Sequence, residues 1–319
     1  MLERTRALFF RRYKIKETLI KNKLEEYSSI LQLEKFESIL HIYSNGDFNT
    51  KFIITTAIQE HKDILKFEKY CETQSNNYVT NFMLGVINHQ YSARSRGNDV
   101  AKNVSENQAE LMYEFAEKSL DFLMTALDLN KDDKMVYQVI LRVFLYLGYD
   151  METIEKYYDE ASNTNGSNFY LNIIMLNIKT PKWLGSEKQL LEFSRRACDG
   201  LSAGDPNLAL IPAAHYEIKL YLEMQDRDEE SSQYLFKSEV KSEILTTFSH
   251  MIKEAKYNYS SIKALSTFLY PLYCYKEYQK IAEVLNITND IVDFDSKPWW
   301  YYSFFKKYFY NAIMNYSKK

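Results

Sequence analysis

The sequence predicts an all-α protein, a solenoid of antiparallel helical hairpins, and three observations predict it. Only 8 glycines and 5 prolines occur in 319 residues, far fewer than a strand-rich chain needs for its turns. Apolar residues recur three and four positions apart over most of the chain, the period of a helix with one buried face. Helix ends that resemble one another return at a near-constant interval in the middle of the chain, which marks a repeat architecture. With 46% hydrophobic residues the chain can bury a sizeable core, and 27 Tyr and 19 Phe supply bulk to fill the space between helices.

Taken in order, Ile15, Leu19, Tyr27, Ile30, Leu31, Ile39, Leu40 and Tyr43 keep helical spacing, and Asn45-Gly46-Asp47 reads as a left-handed cap and turn closing a first hairpin. Phe48 to Tyr70 reads as one helix. After the polar break from Thr73 to Asn77, another runs through Phe82, Met83, Val86, Ile87 and Tyr91 and ends near Gly97, where a positive φ is free of steric cost. Asn98 to Gln108 reads as a loop. Leu111 to Leu129 is strongly amphipathic, with Leu111, Phe115, Ser119, Phe122, Leu123, Ala126 and Leu127 on one face. Met135 to Tyr149, stopped by Gly148, and Met151 to Ala161 follow as a pair. Ala161 trails Ala126 by 35 residues and Ala197 trails Ala161 by 36, close to the tetratricopeptide period of about 34. Small residues at such points let helices approach closely, so the expected solenoid is tetratricopeptide-like.

Past Gly200 to Pro206 a helix carries Leu210, Ala214, Ile218, Leu220 and Tyr221. The charged run Asp226 to Glu230 reads as a solvated loop, or else as an acidic docking surface. Helices are expected at Tyr234 to Lys256, Ile262 to Tyr275 and Tyr278 to Leu285, and Pro298 is placed to open a last helix. That helix crowds Trp299, Trp300, Tyr301, Tyr302, Phe304 and Phe305 into two turns, as a wedge against the preceding hairpin, as an aromatic patch for a partner or, third, as a membrane-surface helix with a modest basic face from Lys306, Lys307, Lys318 and Lys319. The domain reading is one continuous helical-repeat domain over residues 1–319. It has N-terminal hairpins over 1–110, a tetratricopeptide-like core over 111–225 and C-terminal helices over 226–319.

A formal net charge of -3 does not predict strong phosphate binding, so no nucleic-acid partner is expected. Cys71, Cys198 and Cys274 are odd in number and widely spaced, which fits reduced thiols in a cytoplasmic protein. Met1 to Leu24 is basic but lacks the apolar core of a secretory signal, and no transmembrane segment is expected. The histidines His41, His61, His89, His215 and His250 form no HxxxH or HExxH, and no Cys lies near one. Neither a metal nor a cofactor is therefore expected. Glycine-rich phosphate loops and GxSxG are also missing, so no catalytic residue is assigned.

Candidate binding residues are few. His89 lies one to two turns before Arg94 and Arg96, which could receive an anion in a groove or could simply cap the helix carbonyls. His215 and Glu217 are two apart and so lie on different faces of a helix, which reads as interhelical polar contact rather than an acid/base pair. Trp183 reads as an anchor under its own loop, with Ser186 and Gln189 spaced as a capping box for the next helix. Trp299, Trp300 and Tyr301 complete the set.

Two stretches together resemble an uncharacterised bacterial family, domain-of-unknown-function family 4034. One is Arg96-Gly97-Asn98-Asp99-Val100-Ala101-Lys102-Asn103-Val104. The other is Pro181-Lys182-Trp183-Leu184-Gly185-Ser186, followed by Leu190, Phe193, Ser194, Arg195, His215 and Glu217. The resemblance covers about Leu84 to Glu217, with Leu184 and Asp99 standing where the family has glycines and Ala93 where it favours an aromatic. It implies a tetratricopeptide-like helical fold and a structural role for the loop, and no reaction.

By elimination the expected function is non-enzymatic protein binding, in its most specific form a bacterial immunity protein that blocks a cognate toxin. A general scaffold or regulatory adaptor is the alternative. An enzyme would require a polar pocket that joins His89, Arg94, Arg96, His215 and Glu217.

Overall fold

A computed structural model describes residues 23–60, 64–74, 76–97, 104–163, 168–289 and 292, and these are predominantly helical, with no strand among them. Trp299, Trp300, Tyr301 and the helix expected around them lie outside the described residues, as does the basic stretch up to residue 22. The chain divides into two compact units, one over Leu19–Ile174 and one that holds the described residues from Met175 onward.

In the first unit residues 23–32 form α1. They are followed by α2 (Phe36–Asn45), α3 (Phe48–Glu60), α4 (Leu65–Glu72), α5 (Tyr78–Arg96), α6 (Glu106–Leu129), α7 (Lys134–Leu147), α8 (Met151–Asn163) and the start of α9 (Phe169–Ile178). Helix α5 is central. An unbroken run from Val79 to His89 is buried, because its apolar and small residues cover every side rather than one stripe. It packs most extensively on α6, and α3, α5 and α7 each touch the other two.

Glycine sets the α5–α6 distance: a Cβ at Gly85 would sit 2.6 Å from Leu123. The Ser119 hydroxyl donates to the Gly85 carbonyl at 2.7 Å, so the close approach leaves that polar atom satisfied. At the start of α7, Asp133 caps the helix by accepting from the Met135 N–H at 3.0 Å. The same buried carboxylate accepts from Lys51 of α3 at 2.8 Å and from the Tyr43 hydroxyl of α2 at 3.3 Å. One side chain thus ties three helices together.

The second unit continues from α9 through α10 (Glu187–Cys198), a 3-10 turn (Pro206–Ala209), α11 (Leu210–Met224), α12 (Asp228–Tyr234), α13 (Ser238–Lys253), α14 (Tyr259–Cys274) and α15 (Tyr278–Ile287). Helices α11 and α14 are its buried centre. Phe248 meets Phe268 edge-on at 5.6 Å, and Tyr216 meets Tyr270 edge-on at 5.7 Å, the arrangement that ring quadrupoles favour.

Several local expectations hold. Gly97 and Gly148 follow α5 and α7 with φ of 71° and 73°, and Ala126 and Ala161 are fully buried at the ends of α6 and α8. Ala197, the third echo, is partly exposed.

Others are corrected. Gly46 is extended, with φ -75°, rather than left-handed. Its missing Cβ matters for space, since one would lie 2.7 Å from the Thr50 side chain and 2.9 Å from the Ile42 carbonyl. The expected helix over Phe48 to Tyr70 is two helices, α3 and α4. Helix α6 begins at Glu106, because Ser105 and Gln108 build a capping box inside the expected loop. Leu111 is consequently left 38% exposed, while Met112 and Ala116 turn inward. In the charged run, Asp228, Glu229 and Glu230 form the first turn of α12, where carboxylates complement the helix dipole. The expected helix from Tyr234 starts instead at Ser238, after the turn that ends α12.

Candidate functional site

The polar residues singled out in the sequence fall into separate surroundings. In the first unit, Arg94 donates to the Gln59 carbonyl at 3.2 Å and Arg96 to the Gly97 carbonyl at 3.2 Å. Both arginines therefore engage backbone carbonyls near helix ends. His89 is buried on α5, 7% exposed, and its ring lies tilted against Tyr146 of α7 at 5.3 Å. Burial, and secondarily the charge of Arg142, push the His89 imidazole down to about 3, so the ring is neutral at physiological pH. The cation beside His89 is thus Arg142, which comes from a different helix than Arg94 and Arg96.

In the second unit, His215 and Glu217 part company as their spacing requires. The His215 Nδ1 lies 3.0 Å from the Tyr234 hydroxyl and its Nε2 lies 3.0 Å from Glu243. Arg195 closes the network with a two-pronged contact to Glu243, at 2.7 and 2.9 Å. These hydrogen bonds, the one from Arg195 first and the one with His215 second, draw the Glu243 carboxyl down to about 2. The order Tyr, His, carboxylate repeats a nucleophile, base and orienting acid. The phenol is nevertheless buried and its pKa is raised, chiefly by burial, which is the reverse of what an attacking phenolate needs.

Glu217 instead accepts from Lys182 at 2.6 Å, a buried tie between α11 and the loop after α9. That loop folds back on its helix: the Trp183 N–H donates to the Thr180 carbonyl at 3.0 Å and the Leu184 N–H to the Ile178 carbonyl at 3.2 Å. A Cβ at Gly185 would lie 2.1 Å from the Lys179 carbonyl, so the backbone contact demands glycine there. Trp183 and Leu184 remain 36% and 41% exposed, and Ser186 caps α10 by accepting from the Gln189 N–H at 3.2 Å.

No family model, curated protein or solved structure matches this chain. Function therefore rests on the site geometry alone. The described residues contain no His, Cys, Asp and Glu cluster able to hold a metal ion, and none of their helices is long and apolar enough to cross a membrane. Cys71 and Cys198 are pushed up to about 12 and Cys274 to about 11, each chiefly by burial, so the three free thiols are poor nucleophiles.

A groove of about 620 Å³ in the first unit is lined by Tyr113, Glu117, Leu120 and Asp121 of α6 with Leu147 and Tyr149 at the end of α7. Spacing on α6 builds one wall, since Tyr113, Glu117 and Asp121 recur every four residues on the exposed side of the helix. The αL turn at Gly148 builds the other. It lets the Tyr149 N–H reach the Phe144 carbonyl at 3.0 Å and lays the Tyr149 ring on Phe144 at 4.3 Å. Tyr113 is 46% exposed and Tyr149 36%. Glu117 and Asp121 form no ion pair with any described residue.

The sequence reading missed this wall because it attended to the buried face of α6. The signal was present as a second stripe of Tyr, Glu and Asp on the opposite face.

Proposed function

We propose that this chain is a non-enzymatic, protein-binding helical-repeat protein and that the α6–α7 groove receives a basic segment of its partner. The groove carries the proposal. Two carboxylates without an ion pair among the described residues flank two partly exposed tyrosines. Carboxylates and aromatic faces together favour a Lys or Arg side chain through ion pairing and cation–π attraction. The tetratricopeptide-like reading is supported within the first unit by the consecutive packing of α5 on α6 and α6 on α7 and by the buried Ala126 and Ala161.

Fluorescent peptides of equal length, one alternating Arg and Leu and one alternating Glu and Leu, test the groove. The basic peptide is expected to bind, and Glu117→Lys with Asp121→Lys to weaken it at least about tenfold, the equivalent of roughly 1.4 kcal/mol. Equal binding of both peptides, or no loss in the double variant, refutes the groove. Pull-down from the source cells then separates the two forms of the proposal. A single tight partner encoded beside this chain fits an immunity protein against a toxin; several weak partners fit an adaptor.

A further inference from the structure

The groove between α6 and α7 lacks a cation that its neighbours on α6 have. Glu117 and Asp121 stand one turn apart on the exposed side of α6, and neither forms an ion pair with a described residue. Lys118, next to Glu117 in sequence, is drawn elsewhere: its ammonium pairs with Glu114 at 2.6 Å and lies 5.5 Å from the centre of the Phe115 ring. Among the described residues no cation lies over Tyr113 or Tyr149. On one side of α6, then, a carboxylate and a ring share a lysine of the chain itself. On the groove side two carboxylates and two rings share none.

One of those rings is held in place before anything binds. Tyr149 stacks on Phe144 at 4.3 Å, and Phe144 is met edge-on by Tyr157 at 4.9 Å. Stacking uses one face of Tyr149 and leaves the other free of Phe144, in a residue that lines the groove and is 36% exposed. A ring fixed in this way loses little freedom when a ligand lies on it. Leu120 and Leu147 add apolar lining between the charges.

We infer that the groove selects arginine over lysine, which rests on the reading that it receives a basic segment of a protein partner. Exposed carboxylates do little to separate two cations of equal charge, so the rings and the apolar lining decide between them. An ammonium is compact and strongly hydrated, and lying on a ring or on leucine strips water from it. A guanidinium is flat and weakly hydrated: its face stacks on tyrosine while its N–H donors, all in the plane of the group, point outward to Glu117 or Asp121. The groove supplies both kinds of contact in one place.

The test is fluorescence anisotropy of the full chain with two peptides of equal length and charge, one alternating Arg and Leu and one alternating Lys and Leu, at constant ionic strength. The Arg peptide is expected to bind at least about fivefold more tightly, the equivalent of roughly 1 kcal/mol. In Tyr113→Leu with Tyr149→Leu the preference should shrink below about twofold while the Lys peptide still binds, and Tyr149→Phe, which keeps the ring, should retain it. Far-UV circular dichroism shows that each variant is folded, and the wild-type comparison decides the matter even where a variant is not. Equal binding of the two basic peptides overturns the selectivity and leaves the acidic groove standing, whereas binding of neither removes both. A preference undiminished in the folded double variant also overturns it, because the rings would then play no part.

Discussion

His215 on α11 and His89 on α5 are both buried histidines on the central helix of their unit, yet their surroundings differ. Both ring nitrogens of His215 have partners, Tyr234 and Glu243, and Glu243 is itself held by Arg195. His89 has a buried Nδ1 without a hydrogen-bond partner, and its ring lies tilted against Tyr146. The first centre is finished within the protein. The second leaves a ring nitrogen unsatisfied. Satisfied networks fix a core, whereas a buried polar atom without a partner leaves a penalty in place.

The largest effect should come from breaking the satisfied centre. Glu243→Ala removes the acceptor for both His215 and Arg195. Arg195 is half exposed and loses little, but His215 is left with a buried, unpaired nitrogen. About 3 kcal/mol of stability should disappear from the second unit, summing a lost charged hydrogen bond and an unsatisfied group. Amide exchange in α11 and α13 reads this directly, and protection unchanged within a factor of about three would show that the network is decorative.

Acid separates the two centres by pH window. The His89 imidazole is held near 3 against an unfolded value of 6.5. Below pH 6.5 the unfolded chain therefore takes up a proton that the native chain refuses. The associated stability is complete above pH 6.5 and declines as pH falls toward 3, by about 2 kcal/mol between pH 6.5 and 5. Glu243 acts lower: its contribution is complete above 4.5 and is lost as pH falls toward about 2. Urea midpoints across pH 5 to 7 should fall less steeply in His89→Gln than in the wild type. Parallel slopes would mean that His89 is hydrated and not buried.

How legible these centres were in the sequence depends on what each needed. The glycine stops at Gly97 and Gly148 are local, and they could be read because positive φ is a property of one residue. The His215/Glu243 contact spans 28 residues and three helices, so it depends on packing that no periodicity encodes. The break between α3 and α4 was invisible because neither glycine nor proline marks it. Arg142, the cation beside His89, could have been found. It is the charged residue inside an otherwise apolar α7, and a charge in a core helix is informative where one in a polar stretch is not. Attention to Arg94 and Arg96, nearer to His89 in sequence, obscured it.

The smallest expected effect comes from Arg142. It is exposed and makes no ion pair with a described residue, and its charge is only the second cause of the lowered His89 pKa. Arg142→Met preserves the length and apolar stem of the side chain and deletes that charge. The urea midpoint at pH 7 should therefore move by the equivalent of no more than about 0.5 kcal/mol, as for other surface substitutions. The decline toward acid should persist, because burial, the first cause of the His89 shift, is untouched. A drop of more than about 1 kcal/mol would show instead that the Arg142 guanidinium is a structural cation.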